Sequence, residues 1–410
     1  MLSLLLGVGV VLFVNRPESA VLPPDRPTGA TEDGADTRAD AATELLDRLG
    51  DRLEGGTRRQ VVALAAPGDR EAARELATIH ANVRALRITD LSLRYVDENA
   101  ARLSADREQA LGERGWVGDV ELDWRLRGFD AAEGHLEITL TFADTARGAA
   151  FVSARDDYGE PAPLWLLERL SVERSRRALV MAADDQRAGR FLRLANQAVL
   201  DVRKVLPDFP GRLVVELPGS QRLLARAIGA EPGSYTGIAA VTTTVDGSLT
   251  PDAPAHIFVN RRVFDPLGPR GSQIVMSHEA THVATQAAVS SMPTWLLEGF
   301  ADYVALAHVD LPVSITGSQI LVRVREDGPP KQLPGRRAFD PESEALGASY
   351  ESAWLACRLL AEKYGEKKLV AFYRESNRVS STEKAFGNIL GTDDKAFTRA
   401  WRNYLRDLAG

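Results

Sequence analysis

Residues 277–303 read SHEATHVATQAAVSSMPTWLLEGFADY, and they restrict the fold more than any other stretch of this 410-residue chain. The chain has only six histidines, and two of them, His278 and His282, stand one helical turn apart with Glu279 directly after the first. On a helix, positions i and i+4 share one face. Two imidazoles so placed can converge on one metal ion at about 2.0–2.1 Å. Glu279 is offset around the same helix, so its carboxylate can reach a metal-bound water instead of the metal, which is the arrangement of a general base. Two histidines on a solvated helix face would be the plain alternative. It fits poorly with Ile274-Val275-Met276 ahead and Val283-Ala284 behind, which give the helix an apolar flank.

A catalytic zinc site takes three protein ligands and keeps one position open. The third candidate is Glu298, in PTWLLEGFADY. Pro293 suits the first turn of a new helix, and Glu298 then falls just over one turn in. Asp302 follows at i+4 on the same face, where it can accept the free N–H of a ligating histidine, fixing the ring's tautomer and raising its basicity. A lone E-x-x-x-D is ordinarily a solvated helix face; its place on the helix after HEATH gives it a second meaning. The pattern predicts Zn2+ as cofactor, His278, His282 and Glu298 as metal ligands, Glu279 as catalytic base and Asp302 as support for a ligating ring.

HEATH followed by WLLEGFADY resembles the gluzincins, zinc peptidases with two histidines and a glutamate. The nearest groups are the aminopeptidase-N-like and peptidase-MA-like ones, whose second motif has the form W-L-x-E-G-x-A. The resemblance spans 185–410 in organisation but only 277–303 in specific motif. It implies the same ligand set and base, and a downstream tyrosine that donates to the developing oxyanion. The best positional match is Tyr350, in ASYESAWLACRLLAEKYG, which shares a helical face with Trp354, Cys357 and Ala361, so a core role stays equally open. The Gly-x-Met-Glu-Asn motif, with which the aminopeptidases anchor a free amino group, is absent. The segment AHIFVN ends in Asn260 without the acidic residue. An endopeptidase is therefore expected rather than an aminopeptidase, with Asn260 as candidate substrate-binding residue on a strand, 255–260, that could pair with an extended peptide.

The surrounding chain sets the context. The leading run LSLLLGVGVVLFV, residues 2–14, would span roughly 20 Å as a helix, short of the roughly 30 Å hydrocarbon core. It fits a signal-peptide core or a membrane anchor whose start lies upstream, and an uncleaved anchor is favoured because Glu18 spoils a small-residue cleavage site. Either places the remainder outside the cytoplasm, in a bacterial cell envelope, with the membrane as a partner. Residues 15–41, rich in Pro, Asp, Thr and Gly, read as a flexible tether spanning roughly 30 Å. Residues 42–184 give two helical stretches and then strictly alternating strands such as Val120-Leu122-Trp124-Leu126. This is an α+β pattern similar to cystatin-like and nuclear-transport-factor-like folds, in which a curved antiparallel sheet wraps a helix. Residues 185–410 give strands and then helices, an α+β zincin-like metallopeptidase domain.

Hydrophobic residues make up 44% of the chain and its net charge is −7, so it can bury a core and carries no basic field for nucleic acid. The single cysteine, Cys357, excludes an internal disulfide and reads as a small buried helix residue. His80 and His135 are isolated and expected to be structural, and His256 and His308 are too isolated to be proposed as ligands. The expected function is zinc-dependent hydrolysis of peptide or protein substrates outside the cytoplasm, with Glu279 activating a zinc-bound water. A non-catalytic, peptidase-like binding or sensor module of the envelope is the alternative.

Overall fold

The computed structural model describes residues 32–183, 187–307 and 309–410, with side chains from Thr37 onward. The expected anchor, residues 1–14, residues 15–31 of the expected tether, and His308 lie outside the described residues. The remainder of the expected tether is helical, because α1 runs Glu32–Gly55. Two features explain the difference. Ala42, Leu45, Leu46, Leu49 and Leu53 form a buried stripe at helical spacing. Ahead of it, Arg38 pairs with Glu98 and Asp144 at 3.1 Å each and lies over the Trp116 ring, which fastens the first turns to the first sheet. Among the described residues, no helix is long and apolar enough to cross a membrane.

The chain is a mixed α/β structure with two sheets. In α2, Arg70–Leu86, Asp69 caps the first turn by accepting from Glu71 and Ala72 N–H at 2.9 Å. Four antiparallel strands follow as a meander in sequential order: β1 Ile88–Glu98, β2 Gly115–Leu126, β3 Gly134–Thr145 and β4 Gly148–Ser153. The alternation of β2 is visible in the packing: Val120, Leu122, Trp124 and Leu126 are buried, and Val120 and Leu122 face Ile138 and Leu136 across the ladder.

The second sheet holds β5 Ser171–Arg174, β6 Ala178–Ala182, β7 Leu213–Leu217, β8 Ala240–Thr244 and β9 Ala255–Val259, in the order β5-β6-β7-β9-β8. Its centre is parallel, and its two edge strands pair antiparallel. The sheet thus begins at Ser171, ahead of the division at 184/185 expected from the sequence. The reason is legible in the pattern. ALVMA is a continuous apolar run and LVVEL is apolar but for Glu216, and both are buried throughout, as befits parallel strands covered on both faces. Two buried polar side chains on α2 hold the crossover between the sheets. Glu75 accepts from Ala154 N–H at 2.6 Å. Asn82 donates to the Trp165 and Glu168 carbonyls at 2.8 Å and accepts from Leu170 N–H at 3.1 Å.

Six helices that matter for the site complete the second half: α3 Ala188–Val205, α4 Gly268–Thr285, α5 Thr294–Leu306, α6 Leu346–Tyr364, α7 Glu366–Val379 and α8 Asp394–Ala409. α4 crosses the sheet against β8 and β9 and is flanked by α3 and α5. Ser277 donates to Asp201 of α3 at 3.0 Å, which fixes the register of α4. Apolar side chains of both sheets and these helices form one contiguous core. Cys357 lies in it as a fully buried free thiol.

Candidate metal centre

His278 and His282 project from α4, and both are buried. The helix ends at Gln286, whose left-handed φ of 53° turns the chain toward α5. Pro293 stands just before α5 as its N-cap residue, outside the first turn where the sequence placed it. Glu298 is buried on that helix with zero exposure. Helices α5 and α6 touch backbone to backbone at Gly299. A Cβ there would lie 2.3 Å from the Ala353 carbonyl oxygen. The glycine of WLLEGF is thus a requirement of close helix packing, and it brings Tyr350, one turn before Ala353, against the ligand helices.

Three ligand atoms converge. His278 Nε2 and His282 Nε2 are 2.9 Å apart, and Glu298 Oε2 lies 3.2 Å from the first and 3.4 Å from the second. Tetrahedral bonds of about 2.05 Å place neighbouring ligand atoms about 3.3 Å apart. The triangle therefore matches one face of a zinc tetrahedron, and two imidazoles with a carboxylate is the donor set of catalytic zinc. Among the described residues, this is the one group of three His, Cys, Asp or Glu side chains close enough to share an ion. On the far side of the His278 ring, Nδ1 lies 2.9 Å from Asp302 Oδ1. Donation of the Nδ1 proton to Asp302 leaves the Nε2 lone pair for the metal. His282 Nδ1 has no such partner.

The electrostatics follow from burial and these neighbours. Burial would raise the Glu298 pKa, but the two imidazoles outweigh it and hold the group at about 2, as a carboxylate. Burial would lower that of His278, but Asp302 and Glu298 overcome it and push the ring up to about 10. A field that retains a proton between two carboxylates is also one that favours a divalent cation there. Glu279 is raised by burial, partly offset by the imidazoles and Thr242. Its Oε2 accepts from the Thr242 hydroxyl at 2.7 Å, while Oε1 is buried with no hydrogen-bond partner.

The remaining candidates separate. The ring centroid of Tyr350 lies 6.3 Å from that of His278, and its phenol is held protonated by burial and by Glu298, Asp302 and Glu279. It also packs edge-on to Phe339 in the core. Asn260 is engaged elsewhere. It accepts from Arg262 N–H at 3.2 Å and donates to the Tyr235 carbonyl at 2.8 Å, capping the short helix Arg261–Phe264. Its strand, β9, is interior between β7 and β8, and the edge strand beside α4 is β8. A sequence shows that a strand exists, but its place in the sheet is set by pairings across the whole chain.

Two residues escaped the sequence. Thr242 sits in AVTTT, where nothing distinguishes one threonine from the next. His256 stands alone in the sequence, yet its Nδ1 lies 2.6 Å from Glu216 and its Nε2 3.0 Å from Asp130. The available signal was a polar residue inside each of two apolar strands, LVVEL and AHIFV. His135 pairs across the ladder with Asp123, and His80 meets the Gly56 carbonyl, both structural. No family model, curated protein or solved structure matches the chain.

Proposed function

We propose that this chain is a zinc-dependent peptidase of gluzincin type, acting as an endopeptidase outside the cytoplasm. The observation that carries the reading is the convergence of His278, His282 and Glu298 on one point, with a buried, unpartnered carboxylate oxygen of Glu279 on the same helix. The arrangement of α4 across a mixed sheet with an antiparallel edge strand, followed by a second ligand helix, supports a zincin-like domain. The helices packed on an antiparallel meander support a cystatin-like accessory unit ahead of it. A zinc ion held by the three ligands would supply a Lewis acid and activate water near neutral pH.

The chain's own groups then have defined roles. Asp302 holds the His278 ring in the ligating tautomer. Glu279 takes a proton from the attacking water and delivers it to the departing amine. The protonated phenol of Tyr350 is the candidate donor for the developing oxyanion. His278, Glu279 and Glu298 have zero exposure, so a substrate reaches them only through a movement of the surrounding segments. A groove of about 640 Å³ lies beside the start of α5, between Val289–Trp295 and residues 332–336.

Complete burial of the ligands also favours one other reading, a metal-bearing binding module without turnover. One experiment divides the two. Purified full chain is assayed for zinc and for cleavage of a quenched-fluorescent peptide library, beside Glu279→Gln. Stoichiometric zinc in both proteins, with cleavage only by the wild type, is expected. Zinc without cleavage by either favours the binding module, and equal cleavage by both removes Glu279 as base.

A further inference from the structure

The Glu279 carboxylate has two oxygens in different surroundings. Oε2 accepts a hydrogen bond from Thr242 Oγ1 at 2.7 Å, and Oε1 has no partner. The same hydroxyl lies 3.2 Å from the Glu279 main-chain carbonyl, so it addresses both ends of the residue. Thr242 is fully buried. It belongs to edge strand β8, where its backbone is paired with Ile257. A β-branched side chain on a paired strand is stiff at χ1, so the position of the hydroxyl is set by the sheet and not by α4. A hydrogen bond from a neutral hydroxyl to a carboxylate is shorter and stronger than one between neutral groups.

We infer that Thr242 is a positioning residue for Glu279, holding one carboxylate oxygen on the sheet so that the other is presented to the reacting water. The inference rests on the reading of Glu279 as the base. Without the hydroxyl, the terminal carboxylate torsion has a broad, roughly two-fold energy profile and no fixed orientation. Thr242 is not one of the three ligands, so its removal separates orientation of the base from metal binding. The edge strand β8 thereby aligns the proton acceptor as well as closing the sheet.

The test uses the full chain and the same peptide library, with Thr242→Val, Thr242→Ser and Glu279→Gln. Valine keeps shape and branching and removes the donor; serine keeps the donor. Loss of a residue that orients a catalytic group costs about 10–100-fold. Thr242→Val is therefore expected to lose about that factor in kcat, with KM within about threefold and zinc content unchanged, and Thr242→Ser to restore most of it. Independently of turnover, crystals of the valine variant are expected to show the Glu279 carboxylate rotated or spread over several orientations. Should Thr242→Val fail to fold or to hold zinc, Thr242→Ala, which removes the donor without introducing bulk, takes its place. Full kcat in the valine variant beside an inactive Glu279→Gln overturns the role of Thr242 and leaves that of Glu279 standing. Full activity of Glu279→Gln, or no cleavage by the wild type, removes the base and its support together.

Discussion

His256 offers the sharpest test of how the two halves of the molecule are joined. Its ring is 2% exposed and lies between Glu216 of β7 and Asp130 of the turn joining β2 to β3. Trp124, Trp165, Met181 and Phe258 surround the cluster and leave a cavity of only about 10 Å³ beside it. Burial alone would strip the proton from the ring, but the two carboxylates outweigh it and raise the pKa from 6.5 to about 9. The shift converts to about 3 kcal/mol of linkage to folding. Its sign follows from a folded pKa above the unfolded one. The contribution is complete below pH 6.5, declines as pH rises, and is gone above about pH 9.

Replacing His256 with Gln leaves Asp130 and Glu216 buried without their cation, a change that costs about 3–5 kcal/mol in comparable buried pairs. Urea unfolding followed by tryptophan fluorescence at pH 6.5 and pH 10 reads both effects. The wild type is expected to exceed His256→Gln by several kcal/mol at pH 6.5 and by far less at pH 10. Other groups titrate in this window, and taking the difference between the two proteins cancels them. A triple change, Asp130→Asn, Glu216→Gln and His256→Gln, removes all the charges and is expected to recover much of the loss. A gap between wild type and His256→Gln that stays constant across this range would refute the ionic account.

Two further outcomes bear on the metal centre. Gly299→Ala forces a methyl to within 2.3 Å of the Ala353 carbonyl oxygen, so α5 and α6 must separate; a loss of about 1–3 kcal/mol in thermal denaturation is expected, with weaker zinc binding because Glu298 is the adjacent residue. Asp302→Asn removes the carboxylate that holds the His278 Nδ1 proton, and zinc affinity in competition with a fluorescent chelator is expected to fall about 10–100-fold; unchanged affinity would show that the contact at 2.9 Å does not orient the ring.

The parts of the site legible in the sequence are those governed by helix geometry. His278 and His282 share a face because a helix repeats every 3.6 residues, and Glu298 and Asp302 do so for the same reason. Their convergence across two helices could be anticipated because the connection between them is short. Relations that close over long stretches of chain were not legible. Asn260 carries a side chain suited to binding, and only the fold shows that it is occupied in capping. Thr242 reaches Glu279 through a sheet whose order, β5-β6-β7-β9-β8, runs out of sequence at its end. The charge partners of His256 lie 40 and 126 residues away.

The same long closures predict that the second half of the chain will not stand alone. The strands Ser171–Arg174 and Ala178–Ala182 precede position 185, yet β6 pairs along its whole length with β7. The turn between β2 and β3 supplies Asp130 to His256, and His135 N–H donates to Asp246 at 3.1 Å, at the end of β8. The hairpin of β8 and β9 that carries Thr242 is therefore braced from the first sheet. A fragment spanning 185–410 would expose the apolar edge of β7, a template for aggregation, and would leave His256 with one carboxylate of two. It is expected to be poorly soluble, with weak zinc binding, whereas a chain starting at Thr37 keeps both sheets and is expected to be monodisperse with stoichiometric zinc. Size-exclusion chromatography with metal analysis of both proteins decides the matter. A monodisperse 185–410 fragment with full zinc content would mean that the first sheet braces nothing the metal centre needs.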